Sequence, residues 1–148
     1  MRIPTRLHIT WESETVLKVE TDAGMQLRRF VFNASERPVR HSLQGFSAAT
    51  WERPGRGERT AGGGGDLKVV TTNMSGGWVR KNGVPYSENA LMTEYIDRFT
   101  GPQADEWFTV TTIIEDAKFF TQPFVTSTHF KKERDGSKWS PSPCRATT

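Results

Sequence analysis

The residues best equipped for chemistry lie between Asn82 and Tyr95, in the run Asn-Gly-Val-Pro-Tyr-Ser-Glu-Asn-Ala-Leu-Met-Thr-Glu-Tyr. Asn82-Gly83 is a turn signal, and Pro85 stiffens the bend that follows. Tyr86, Ser87, Glu88 and Asn89 then set a phenol, a hydroxyl, a carboxylate and an amide side by side. Glu94 is the sharper feature. On an extended strand it shares a parity with Met92 and Ile96, so its carboxylate points where apolar side chains point. Burying an ionised carboxylate is costly unless it is paired or hydrogen-bonded. Arg28 and Arg29, neighbours on an earlier strand, are the cations available to it. An inward Glu94 therefore has two readings. It is one half of a buried ion pair that fixes strand register, or a carboxylate that orients a ligand or acts as general base in a barrel mouth.

The other candidates carry weaker patterns. Ser87 has neither a Gly-x-Ser-x-Gly setting nor a nearby His, which argues against a hydrolase nucleophile. With Asn89 it suits local hydrogen bonding to the backbone. His8, His41 and His129 lie far apart and lack paired ligand spacing, so no metal site is assigned and no cofactor is expected. His129 lies within a strand pattern and joins Glu94 as a candidate acid/base, with Arg28 or Arg80 polarising a substrate. Trp78, between Gly76-Gly77 and Arg80-Lys81, suits a lid or a ligand-stacking element. The candidate ligand-binding set is Arg28, Trp78, Arg80, Tyr86, Glu94 and Tyr95.

These side chains need a scaffold, and the pattern along the chain supplies strands. Leu7, Ile9 and Trp11 alternate with His8 and Thr10, which predicts a half-buried strand. Thr15 to Thr21 and Met25 to Phe32 predict two more, with short polar breaks that make an antiparallel meander. Residues 33–43 read as a longer loop, and Gly45 to Trp51 as a fourth strand. Residues 53–65 read as a flexible hairpin tip. The glycines at 62–65 are not followed by Lys-Ser/Thr and lead into a strand, so no phosphate loop is implied. Further strands are predicted at Asp66 to Thr72, Ala90 to Phe99, Glu106 to Glu115 and Phe124 to Lys132. A single helical turn is expected within Asp116 to Gln122, stopped before Pro123. The expected fold is all-β: a single antiparallel meander of about eight strands over residues 1–136, as a lipocalin-like barrel or a cupped sheet, with a β-sandwich as the alternative. Residues 137–148 form a Pro/Ser-rich tail.

Composition bounds the function classes. The chain has 148 residues with five Trp and nine Phe, enough large apolar surface for a core and against wholesale disorder. Its net charge of +3 comes from 20 basic and 17 acidic residues without a Lys/Arg block, so no nucleic-acid footprint is present. No run approaches the roughly 18 apolar residues of a membrane-spanning helix. No signal-peptide pattern opens the chain. Cys144 is the single cysteine, so it is a free thiol or pairs outside the chain. Its Ser-Pro-Ser-Pro setting offers no rigid shell to activate a thiolate.

One resemblance covers most of the chain. It rests on Asp66 to Asn73, Gly77 to Glu88, Thr93-Glu94-Tyr95, Val110 to Asp116 and Thr121 to Phe124, with Thr15 to Phe30 and Gln44 to Glu52. These segments resemble a family of uncharacterised, often exported bacterial β-rich proteins with the pattern R-x-G-x-P-x-S-E/D, then T-E-x-F, then D-P. The chain departs from it in the expanded loop 53–65 and in Ala117, where a Pro is expected. Relatives tend to carry a further N-terminal stretch with a Cys, which the resemblance offers as a partner for Cys144. It implies a β-rich fold and a periplasmic or secreted location, and no established activity.

The expected function is binding of a small hydrophobic or lipid-like molecule, with residues 73–89 lining the mouth of the fold. Two alternatives stand beside it: an enzyme on the same scaffold, and a structural or interaction module that pairs through a sheet edge, including as a homo-oligomer.

Overall fold

The computed structural model describes residues 5–52, 66–80 and 83–144. The expected hairpin tip at 53–65 lies outside the described residues, as do Lys81, Asn82 and the side chain of Arg80. Ten strands form and, among the described residues, no helix. They are β1 (Leu7–Ser13), β2 (Val16–Thr21), β3 (Leu27–Phe32), β4 (Phe46–Glu52), β5 (Asp66–Thr72), β6 (Gly77–Arg80), β7 (Val84–Tyr86), β8 (Leu91–Thr100), β9 (Glu106–Glu115) and β10 (Phe124–Lys131). Eight of them make one sheet in the order β1-β2-β3-β4-β5-β8-β9-β10, and β6 pairs with β7 apart from it. The expected helical turn is one hydrogen-bonded turn, closed by Phe120 N donating to Asp116 O at 2.8 Å.

Neighbouring strands are antiparallel with one exception, which corrects the purely antiparallel expectation. β3 and β4 run parallel, with Phe30 opposite Ser47 and Phe32 opposite Ala49. Parallel neighbours need a long crossover between them, and residues 33–45 supply it. The crossover is held at its far end, where Ser42 N donates to Asn73 O at 3.0 Å and Ser75 N donates to Ser42 O at 2.7 Å.

Alternation along each strand decides the two faces. Val19, Phe30, Ala49, Leu67 and Val69 share the inner face and are buried together, with Leu7, Leu17, Phe32 and Ile96 packed against them. Residues of opposite parity face outward, where Arg29 pairs with Glu12 and Lys68 with Glu52. The sheet is strongly curled. Ile9 of β1 and Phe130 of β10 line one apolar chamber although their strands stand at opposite ends of the sheet. β1 and β10 do not pair with each other, so the sheet is a cup and the barrel is not closed. Beyond β10 the chain reaches back to the turn between β2 and β3. Ser142 N donates to Asp22 O at 2.9 Å, Gly24 N donates to Ser142 O at 2.8 Å, and Trp139 packs 5.6 Å from the His8 ring.

Gly45 is the backbone position the cup tolerates least. Its φ is +64°, and a Cβ there would lie 2.4 Å from Thr72 O and 2.7 Å from Met74 Cγ. Gly45→Ala is therefore expected to cost at least about 2 kcal/mol, from left-handed strain plus overlap with backbone. Urea unfolding measures it, and a loss of a few tenths would contradict the close approach.

Candidate functional site at the mouth of the cup

One end of the cup is a mouth. β1, β3, β4, β8 and β10 begin there, and β2, β5 and β9 end there, given the strand directions. The β6–β7 hairpin is inserted between β5 and β8 at this same end. Between hairpin and sheet lies a cleft of about 1080 Å³. Its apolar wall includes Leu43, Met74, Val79, Met92, Ile114 and Phe124. Arg28 and Glu94 line it from the sheet, and the same two residues line an apolar chamber of about 100 Å³ deeper in the cup.

Arg28 and Glu94 form a two-pronged pair. Nη2 of Arg28 donates to Glu94 Oε2 at 2.6 Å, and Nη1 donates to Oε1 at 3.2 Å. β4 and β5 stand between their strands, so a flat sheet would hold the two backbones roughly 14 Å apart. The curl brings the side chains together across that span. The two intervening strands each contribute a hydroxyl to the pair: Nη2 also donates to Ser47 Oγ at 3.2 Å and to Thr71 Oγ1 at 3.1 Å. Those hydroxyls bond each other at 2.8 Å. Arg28 is 7% exposed and Glu94 2%, so both charges are withdrawn from water and answered from within. The Arg28 guanidinium lies 4.9 Å from the Phe30 ring, and its Nε is buried without a hydrogen-bond partner.

The rim is fixed by two buried aspartates. Asp116, just past β9, accepts hydrogen bonds from Ser87 N, from Ser87 Oγ at 3.0 Å and from Lys118 N at 3.0 Å. Burial alone would raise its pKa, but these bonds outweigh it and hold the carboxyl below the usual aspartate range. Asp22 accepts from Arg6 N and Thr5 Oγ1, each at 2.8 Å, and from Ala23 N at 2.7 Å. Burial opposes its charge too, and the same kind of donors bring its pKa down to about 2.

The hairpin carries the aromatic candidates. Trp78 and Tyr86 both line the cleft. Trp78 is 69% exposed, as a side chain standing over an open mouth would be. Tyr86 is half-buried against Gly77, where a Cβ would lie 2.8 Å from its hydroxyl, and burial raises its pKa. The knuckle after it is turn chemistry as expected, with Asn89 N donating to Ser87 Oγ at 3.2 Å.

Two candidates lie outside the cleft, and a third, Arg80, falls outside the described side chains. Tyr95 is one residue from Glu94 and so faces outward, where Lys68 Nζ lies 5.5 Å from its ring centre. His129 is exposed on the outer face of β10, its Nδ1 2.8 Å from Thr109 Oγ1. Glu94 and His129, the two candidate acid/base residues, therefore do not share a site. Arg80 ends β6, and its side chain is outside the described residues. Among the described residues no group of three or more His, Cys, Asp or Glu side chains could hold a metal ion. Ser47, Thr71, Thr112 and Asp116 belong to the site without having been singled out. Thr71 shares its parity with Leu67 and Val69, and Ser47 with Ala49, a signal strong enough to have placed both inside.

Compared with known protein-family models, curated proteins and solved structures, the chain matches none.

Two predictions follow from this geometry. Arg28→Ala is expected to cost about 3–5 kcal/mol, because it strands the Glu94 carboxylate. Replacing both partners together, Arg28→Met with Glu94→Leu, is expected to cost much less by urea unfolding. Equal losses would mean the pair is not a unit. The second concerns acid. A carboxylate whose folded pKa is depressed adds stability that is present above its ordinary pKa and lost as pH falls through the folded value. Asp22 thus contributes above roughly pH 4, and its contribution fades as pH falls towards about 2. Melting curves of Asp22→Asn should show a flatter acid limb than the parent over that window.

Proposed function

We propose that this protein binds a small hydrophobic or lipid-like molecule in the mouth cleft. The observation that carries this reading is the cleft itself, about 1080 Å³ between an aromatic hairpin and a curled sheet. Ligand pockets of roughly 300–1,000 Å³ with mainly apolar walls and a few placed polar groups are the usual form of small-molecule sites. Met74, Ala90 and Ile114 are buried together at its rim, with Val79, Tyr86, Met92, Phe120 and Phe124 packed against them, so the wall is held firmly. Arg28 and Glu94 serve as a polar floor. The enzyme alternative has less support, since Glu94 is fully engaged by Arg28 and His129 lies on the opposite face. The resemblance to often-exported bacterial proteins adds a periplasmic or secreted location to the proposal.

Thermal unfolding of the purified protein against a panel of hydrophobic and lipid-like molecules tests it. A true ligand at about a hundred times its Kd is expected to raise Tm by about 5–10 °C. Trp78→Ala should weaken that ligand several-fold while leaving the melting of the unliganded protein nearly unchanged, because Trp78 is exposed. A panel without any saturable shift, and nothing retained from a metabolite extract by mass spectrometry, would overturn the proposal.

A further inference from the structure

We infer that the cleft selects an uncharged amphiphile and discriminates against carboxylates and amines of the same shape. This rests on the ligand-binding reading above and adds the chemical class of the ligand. Among the described residues lining the cleft, Arg28 and Glu94 are the only charged ones. Each is the other's counter-ion, joined by two hydrogen bonds, and the remaining donor capacity of Nη2 is taken by Ser47 and Thr71. The floor is therefore polar and neutral. Its two charges have no spare partner for a third.

A ligand carboxylate would have to share Arg28 with Glu94, or displace Glu94 and leave it buried and unpaired. Either places like charge against like charge in a site withdrawn from water. An ammonium group meets the converse difficulty, since Glu94 is already neutralised and Arg28 repels it. A hydroxyl, ether, ester or amide meets neither. The remaining polar lining includes Thr5, Thr21, Gln26, Gln44, Thr112 and Thr126, hydroxyls and amides able to donate and accept. The apolar body of such a ligand would lie against Met74, Trp78 and Phe124.

Decan-1-ol, decanoate and decylamine share one chain and differ in head-group charge, so they test the inference directly at neutral pH and below their aggregation thresholds. Calorimetry or displacement of a fluorescent probe should show decanol binding at least about tenfold tighter than either charged analogue. Decanoate or decylamine binding as tightly as decanol would overturn the charge rule while leaving the ligand-binding reading intact. If none of the three binds, the charge rule falls, and the wider panel and the metabolite extract decide the ligand-binding reading separately. A variant adds a second arm: Thr126→Lys, on the edge strand β10, adds a cation to the lining of the cleft. It should tighten decanoate relative to decanol about tenfold. An unchanged order of affinities in that variant would count against the inference.

Discussion

The cup depends on the ion pair between Arg28 and Glu94. A guanidinium on β3 and a carboxylate on β8 are drawn together across two intervening strands, and both are cut off from water. Neither charge is tolerable there alone. Any flattening that separated them would expose each to the cost of an unpaired buried ion, so the pair acts as a tie across the curve. It also locks register. A one-residue slip of β3 would turn Arg28 outward and Arg29 inward, and a slip of β8 would replace Glu94 with Tyr95. Ser47 and Thr71 strengthen both effects, since each occupies the inner face of a strand that the pair must bridge.

Around that tie, the mouth is held open by polar latches at its rim. Asp116 binds the start of the β7–β8 link to the turn after β9 through backbone and side-chain donors of Ser87. Asp22 gathers the segment before β1, and its backbone carbonyl receives Ser142 from the C-terminal tail. Gly77 allows the Tyr86 ring to lie directly on the hairpin backbone. Each latch fixes a loop without filling the space between loops. The interior of the cup is packed by Val19, Phe30, Ala49, Leu67 and Val69, while the space at the mouth persists because its rim is anchored from outside.

Much of this was legible in residue order, and the exceptions have physical causes. Residue patterns located every strand of the main sheet to within a few residues, most plainly in β1 and β2, where an inner face that must be dry and an outer face that is wet impose period-two alternation. The same parity turned Glu94 inward. What parity within one strand cannot do is choose a partner 66 residues away, and Arg28 and Arg29 differed only in the face each would take. Glu12 resolves that choice by holding Arg29 outside. Tyr95, next to Glu94 in the chain, takes the opposite face of the strand beside Lys68. The parallel pairing of β3 with β4 left only an indirect trace, a connection long enough for a crossover. That β6 and β7 leave the sheet was hidden for a similar reason: two turn signals mark a hairpin but not what it pairs with.

The same alternation also explains why the carboxylate that looked most reactive is engaged by a partner. An inward carboxylate invites a catalytic reading because burial perturbs carboxylates, and perturbed groups gather at active sites. Here the burial is answered fully by one guanidinium whose own partners are two hydroxyls of the sheet. A general base needs a lone pair facing a substrate and somewhere to send its proton, and His129 lies on the far side of the sheet. The charges cancel at the floor, and under the proposed ligand-binding reading selectivity passes to the space above them: the width between Trp78 and the sheet, the apolar wall, and a floor that offers hydrogen bonds but no net charge. On the reading proposed above, the described lining distinguishes molecules by whether they bring a charge that none of its side chains is free to neutralise.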